Sequence, residues 1–281
     1  MANPFIFYVE TSSVCNLSCP ECPVGANLIT RKNAFMPFDR YVAVAEKIRP
    51  YARLVAPFVW GEPLLNPDII DIIAYTKQFS KVHLSTNANR IPDPKALMET
   101  KLDSLAVPLD ATTPEMYQVA RRSGDYNKVL SNIELLQKYN VSTKIYGQFT
   151  VFKHNEHQLA DFASLCRELG IMPKITKALF FANNLQQTTL PEYQRPVCRN
   201  ADQIYEAVRT CEARLRMIIF INGDVLPCCF DYNAKQSFGN IFDSKTLDIW
   251  NSEPYVDFRK RLFQTKQFPQ MCLNCPRFTR A

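Results

Sequence analysis

The first two thirds of the chain alternate between short dense apolar runs and longer stretches with apolar residues on one face. Residues 5–10, Phe-Ile-Phe-Tyr-Val-Glu, predict a buried strand. Residues 38–49 predict a helix, with Val42, Ala45 and Ile48 on one side. Further strands are predicted over 53–60, 82–86, 104–109, 142–151 and 171–177. Between them, Asn66 and Pro67 read as the cap and first residue of a helix. A short helix follows Pro94, another starts at Thr113-Pro114, and a longer one ends near Tyr139. Asn155 is predicted to cap a helix carrying Leu159, Phe162, Ala163 and Cys166, with Gln158 as capping-box partner. Six β/α units call for a parallel sheet with right-handed crossovers. A doubly wound sheet and a barrel both satisfy that pattern.

The pattern changes after about residue 179. Residues 183–189 are polar and read as a linker or a loop over a site. An apolar run over 217–221 meets Asn222-Gly223, a type I′ hairpin signal, and returns over 224–227. A helix is expected from Leu247, Ile249 and Trp250 on through Phe258 and Leu262. These features divide the chain into residues 1–190 and a smaller unit, residues 191–281.

Composition narrows the class. The chain has 281 residues, 47% of them hydrophobic, enough for a sizeable core. The apolar runs are short and broken by charge or proline, so no membrane span is expected. The start, Met-Ala-Asn-Pro-Phe, lacks a basic region and cleavage site, which predicts a cytoplasmic protein. Ten cysteines in a reducing compartment point to metal rather than disulfides. The net charge of +6 reads as a solvated basic surface, because no basic run with interleaved aromatics marks a nucleic-acid partner.

Cys15, Cys19 and Cys22 stand at C-x3-C-x2-C spacing, and such thiolates can converge on one soft metal centre. On a [4Fe–4S] cluster, three cysteines leave one iron open to a substrate or second cofactor. A structural zinc site would want a fourth ligand nearby, and the nearest histidine is His83. A second set, Cys211, Cys228, Cys272 and Cys275, suits either an iron–sulfur cluster or a four-cysteine zinc site.

The stretch from Ser13 to Gly25 resembles the cluster loop of the radical S-adenosylmethionine (radical SAM) enzymes. Gly61-Glu62-Pro63 resembles that family's element at the SAM amino group, with Trp60 in place of its first glycine. Ser85, Thr86 and Asn87 resemble the element near the ribose. Asp110 falls in a Ser-Leu-Asp-Gly-like segment in which Pro108 replaces the serine. Arg121, or Arg122, is the candidate charge for the SAM carboxylate. The resemblance implies an open (β/α)6 partial TIM-like barrel with its chemistry on loops after the strands. The C-terminal region resembles the twitch domain, a shortened SPASM domain of β-hairpin plus helix. That implies an auxiliary [4Fe–4S] cluster fully ligated by Cys211, Cys228, Cys272 and Cys275. No second auxiliary cluster is expected.

The resemblance further implies reductive SAM cleavage to a 5′-deoxyadenosyl radical, with electrons from a donor such as flavodoxin or ferredoxin. The radical would take hydrogen from a small polar molecule. The favoured reaction is oxidation of a secondary alcohol of a carbohydrate or aminocyclitol, as in the 2-deoxy-scyllo-inosamine dehydrogenase type. The alternatives are redox-neutral epimerisation with a cysteine hydrogen donor and maturation of a ribosomal peptide. Peptide maturation is disfavoured by a chain starting at its first strand, and a metal-binding module is the non-enzyme alternative. Cys198 and Cys229 are the candidate donors. Cys229 should point away from Cys228 or exchange with it as ligand. Asp231 is a candidate base or a turn residue. Cys166 reads as core, and His154 as a solvent-facing loop residue.

Overall fold

The structure is a computed structural model and describes residues 3–280. Six strands follow one another through the first part: β1 (Ile6–Val9), β2 (Leu54–Ala56), β3 (Lys81–Ser85), β4 (Ser104–Pro108), β5 (Lys144–Val151) and β6 (Met172–Lys177). Each pairs in parallel with the next. The intervening helices are α1 (Phe38–Ile48), α2 (Ile69–Lys77), α3 (Pro94–Glu99), α4 (Pro114–Ala120), α5 (Tyr126–Tyr139) and α6 (Leu159–Glu168). Of the two folds the alternation allowed, this is the partial TIM-like barrel that the resemblance implied.

Strand polarity places the site. Along β5, Ile145, Gly147, Phe149 and Val151 are buried. Gln148 and Thr150 alternate with them and face a cavity inside the barrel. Tyr41, Val44, Ala45 and Ile48 of α1 and Ile69, Ile72 and Ile73 of α2 enter the core. The Tyr41 and Thr76 hydroxyls join the two helices at 2.6 Å.

Three local expectations need correction. The cap of α2 is Asp68, not Asn66. The Asn66 amide instead donates to the Thr11 and Met36 carbonyls at 2.7 and 2.9 Å, joining three loops. Asn155 caps no helix with its side chain. It accepts from the Phe152 N–H and donates to the Asp110 and Thr150 carbonyls, while Gln158 accepts from the Thr112 N–H. The Asn66 Oδ1 still accepts from the Asp68 N–H at 2.9 Å, so its side chain serves the helix entry and distant backbone together, whereas Asn155 serves backbone outside the helix. The hairpin turn is not type I′, which needs two positive φ values. Only Gly223 has one (+93°), and its N–H donates to the Phe220 carbonyl.

The C-terminal part contains β7 (Val197–Cys198), α7 (Ala201–Val208), β8 (Arg216–Ile219), β9 (Val225–Leu226), α8 (Thr246–Trp250), α9 (Glu253–Phe263), α10 (Gln270–Leu273) and β10 (Thr279–Arg280). Strand β8 pairs in parallel with the free edge of β1, setting Met217 beside Phe7, and β9 returns antiparallel. The sheet order is β6-β5-β4-β3-β2-β1-β8-β9, so the sheet runs across the division proposed at residue 190. Met217, Ile219, Val225, Trp250 and Tyr255 join the main core. A second, smaller core gathers Cys198, Ile204, Val208, Phe258, Leu262 and Phe268. Strands β7 and β10 pair with each other in parallel.

Candidate active site

A cavity of about 730 Å³ opens where the loops after β1 to β4 meet the inner faces of β5 and β6. Cys15, Cys19 and Cys22 line it from the loop after β1, and Gly61 and Glu62 from the loop after β2. Ser85, Thr86 and Asn87 come from the end of β3, Asp110 from beyond β4, and Arg121 from the end of α4. Chain-distant residues singled out from the sequence therefore share one space. Pro63 does not line it; the residue is buried and opens a single 3₁₀ turn, Pro63–Leu65.

The cluster loop is held by close backbone contact. A Cβ on Gly25 would stand 2.4 Å from the Cys19 N and O atoms. Gly61 has φ +83°, and a Cβ there would meet the Ser12 carbonyl at 2.6 Å. The next N–H, of Glu62, donates to the Val14 carbonyl at 2.7 Å. The Cys15 sulfur accepts from the Leu17 N–H at 3.5 Å and faces the Asn87 amide at 3.8 Å. Burial pushes the Cys15 thiol up to about 12 and raises Cys22 as well. Such thiols ionise when a metal takes the proton's place. Among the described residues no three side chains converge tightly enough for a single metal ion. Each thiolate of a four-iron cluster sits on its own iron, so its ligands stand further apart. Three thiols on one wall, with N–H donors at two of the sulfurs, fit a cluster with one iron facing the cavity.

Glu62 is buried. Its carboxylate accepts from the Thr86 hydroxyl at 2.6 Å and from the Asn87 and Leu64 N–H groups at 2.7 and 3.0 Å. Burial outweighs these bonds and pushes the carboxyl up to about 7. Asp110, at φ +55°, pairs with Arg121 and accepts from the Thr150 N–H at 2.5 Å. Burial opposes the Arg121 charge, but Asp110 first, with Cys19 and Tyr117 behind it, overcomes that and keeps the guanidinium cationic. Arg121 Nη1 lies 4.0 Å from the Cys19 sulfur, and its buried Nε has no hydrogen-bond partner.

A lid covers this end. The Glu21 carboxylate, inside the cysteine motif, accepts from the N–H groups of Phe181, Ala182 and Asn183 at 3.1–3.2 Å and of Leu185 at 2.6 Å. Phe181 packs edge-on against Trp60 at 5.5 Å and Phe230 at 5.3 Å. The Trp60 indole donates to the Cys229 carbonyl at 2.9 Å.

Cys211, Cys272 and Cys275 pack on the second core. Cys211 lies within electrostatic reach of Cys228, Cys272 and Cys275, which puts the four in one neighbourhood without bringing them tightly together. Their thiol chemistry suits a closed cluster. Cys229 does not point away from Cys228 as an ideal strand would have it: both lie past the end of β9, where the two side chains interact with each other and Arg216 stands beside both. Cys229 lines the cavity, whereas Cys198 is buried in the second core. The Asp231 carboxylate accepts from the Lys235 and Gln236 N–H groups and faces a neighbouring pocket. Cys166 is core. His154 is half-buried, stacked on Phe152, rather than solvent-facing.

Sequence reasoning missed Lys177, Arg195 and Arg277, which also line the cavity. Lys177 carried a signal, since it ends the sixth strand. Arg195 and Arg277 belong to connecting loops whose placement no local pattern encodes.

Residues 9–166, more than half of the chain, match the Radical SAM superfamily, and residues 211–276 match an iron-sulfur cluster-binding domain, SPASM. Among curated relatives, GTP 3′,8-cyclase of Limosilactobacillus fermentum is 27% identical over 64% of this chain and 55% of its own length. The chain thus spans little more than half of that relative. PqqA peptide cyclase of Gluconobacter oxydans is 23% identical over 98% of this chain and 83% of its own. S-adenosyl-L-methionine-dependent 2-deoxy-scyllo-inosamine dehydrogenase of Niallia circulans is 21% identical over 95% and 90%. The crystal structure of BtrN in complex with AdoMet and 2-DOIA superposes with a TM-score of 0.61, covering 98% of this chain and 94% of that one. At 18% identity, the fold is what the two share. The cysteine triad facing the cavity, the four neighbouring cysteines and the matched domains lead to one conclusion: this chain is a member of the radical SAM superfamily, with two [4Fe–4S] clusters and a C-terminal SPASM-type domain.

Proposed function

We propose that this enzyme oxidises a secondary alcohol of a small polar substrate, of the carbohydrate or aminocyclitol class. The observation carrying this reading is that Cys211, Cys228, Cys272 and Cys275 share one neighbourhood, and that Cys229 and Arg277, one and two residues from two of them, line the cavity. When bound, the SAM-site cluster with SAM supplies a hydrogen-abstracting radical, and the closed auxiliary cluster supplies an acceptor for one electron. Glu62, Asn87 and the Asp110–Arg121 pair hold the SAM end. Trp60, Phe181 and Phe230 exclude water. Gln148 and Thr150 offer hydrogen bonds to substrate hydroxyls from the floor. An external one-electron donor such as flavodoxin or ferredoxin is required. Anaerobic turnover with a panel of polyols tests the reading: one ketone should form for each 5′-deoxyadenosine.

Cys229 favours a second reading. It is a thiol in the cavity outside both proposed ligand sets, and a thiol S–H bond is weak enough to return a hydrogen atom. Under epimerisation, Cys229→Ala should keep SAM cleavage and lose the inverted product. Under oxidation the same variant should retain the ketone.

A further inference from the structure

The carboxylates in the cavity are already engaged. Glu21 serves four lid N–H groups, Glu62 serves Thr86, Asn87 and Leu64, and Asp110 pairs with Arg121. Three further cations line the same space: Lys177, Arg195 and Arg277. None of these three forms a salt bridge among the described residues. Lys177 donates to the Gln194 carbonyl at 3.0 Å. Arg195 donates Nε to the Ala178 carbonyl at 2.5 Å and Nη2 to the Lys177 carbonyl at 2.7 Å. Those bonds fix the guanidinium and carry no charge; Cys275 of the second cysteine set lies within electrostatic reach of Arg195 and Arg277, and no carboxylate pairs with either among the described residues. Arg277 follows Cys275 by two residues and lies within electrostatic reach of Arg195. Two guanidinium groups lining one cavity, neither paired with a carboxylate among the described residues, make a site that an oxyanion would complete.

We infer that the substrate carries an oxyanion, a phosphomonoester or a carboxylate, and that Arg195 and Arg277 hold it, with Lys177 adding charge. This rests on the proposed reaction and narrows its substrate. A phosphorylated or acidic sugar fits the wall, whereas the ammonium of an aminocyclitol would be repelled by it. The anion, at the auxiliary side, would orient the rest of the molecule toward the SAM end.

The test is equilibrium dialysis of the full chain with both clusters reconstituted and SAM bound. The probes are radiolabelled inorganic phosphate and, separately, radiolabelled acetate. SAM is present so that its own carboxylate is not the anion measured. One saturable site per chain is expected for at least one ion, and the tighter ion distinguishes phosphoester from carboxylate. R195Q and R277Q should each weaken binding at least tenfold. R277K, which keeps the charge, should stay within a few-fold of the parent, and the exposed control K95Q should be unchanged. Iron content and the auxiliary cluster's electron paramagnetic resonance signal are followed in each variant. No saturable binding of either ion overturns the inference. So does unchanged binding in R195Q and R277Q, including the case in which R277Q alters only the auxiliary cluster's potential. 5′-Deoxyadenosine formation by the same preparation reports separately on the reaction, so a parent protein that cleaves SAM but binds neither ion overturns this inference alone.

Discussion

At the residue scale, the cysteines were legible because their chemistry is fixed by spacing and number. Replacing Cys15, Cys19 and Cys22 together with Ala should abolish 5′-deoxyadenosine formation and retain about half of the iron, since separate thiols hold the second cluster. Iron analysis and product chromatography check this, and parental levels of 5′-deoxyadenosine would contradict it. Glu62 makes a prediction that the sequence could not, because its environment is tertiary. Its carboxyl titrates at about 7 in the folded protein against an ordinary 4.5. The folded state therefore holds a proton that the unfolded chain releases at lower pH. The stability this contributes is full below pH 4.5 and is lost as the pH rises through 7, a change on the order of 3 kcal/mol. Glu62→Gln removes the titration. The amide leaves the Asn87 N–H without its acceptor, at a cost independent of pH. Denaturation of the two proteins at about pH 5 and about pH 8 should show the variant gaining on the parent as pH rises; a constant gap would contradict the account.

At the scale of elements, hydrophobic period located the six strands and their helices, because burial on one face enforces it. It failed where side chains serve distant backbone. Asn66 and Asn155 look like caps, yet each joins loops, and no local pattern separates the two uses. Glu21 is a similar case, a motif residue whose carboxylate orders the lid. Glu21→Ala should leave four N–H groups unpaired. Hydrogen exchange over residues 181–185 should then speed at least tenfold, with β1 to β4 unchanged; an unaltered lid would contradict this. Arg31 ties the connection after the cluster loop to the rest of the fold. It pairs bidentately with buried Glu10 at 2.8 Å, donates to the Tyr232 carbonyl at 2.7 Å and stacks on Phe220 at 3.8 Å. Arg31→Met leaves that carboxylate buried and unpaired, and should cost about 3–5 kcal/mol. Adding Glu10→Gln should recover part of the loss in chemical denaturation, and additive losses would contradict the pairing.

At the scale of the whole molecule, the motifs announced two cluster-bearing units but not how they join. Pairing of β8 with β1 is a long-range event that depends on the edge of the sheet, and composition does not encode it. The second core is small, and the auxiliary cysteines pack against it. Cys272→Ala with Cys275→Ala should therefore raise hydrogen exchange in α7, β7 and residues 266–278, while β8 keeps its protection on β1. Uniform loss of protection would contradict this division of labour. In the proposed oxidation the second electron passes to the protein, and no hydrogen atom is recovered from a thiol. Turnover in deuterated water followed by mass spectrometry of the product tests it most directly. Oxidation gives a product two hydrogens poorer than the substrate, with no solvent deuterium at the reacting carbon. A product of unchanged oxidation state carrying one solvent deuterium at an inverted carbon would contradict it.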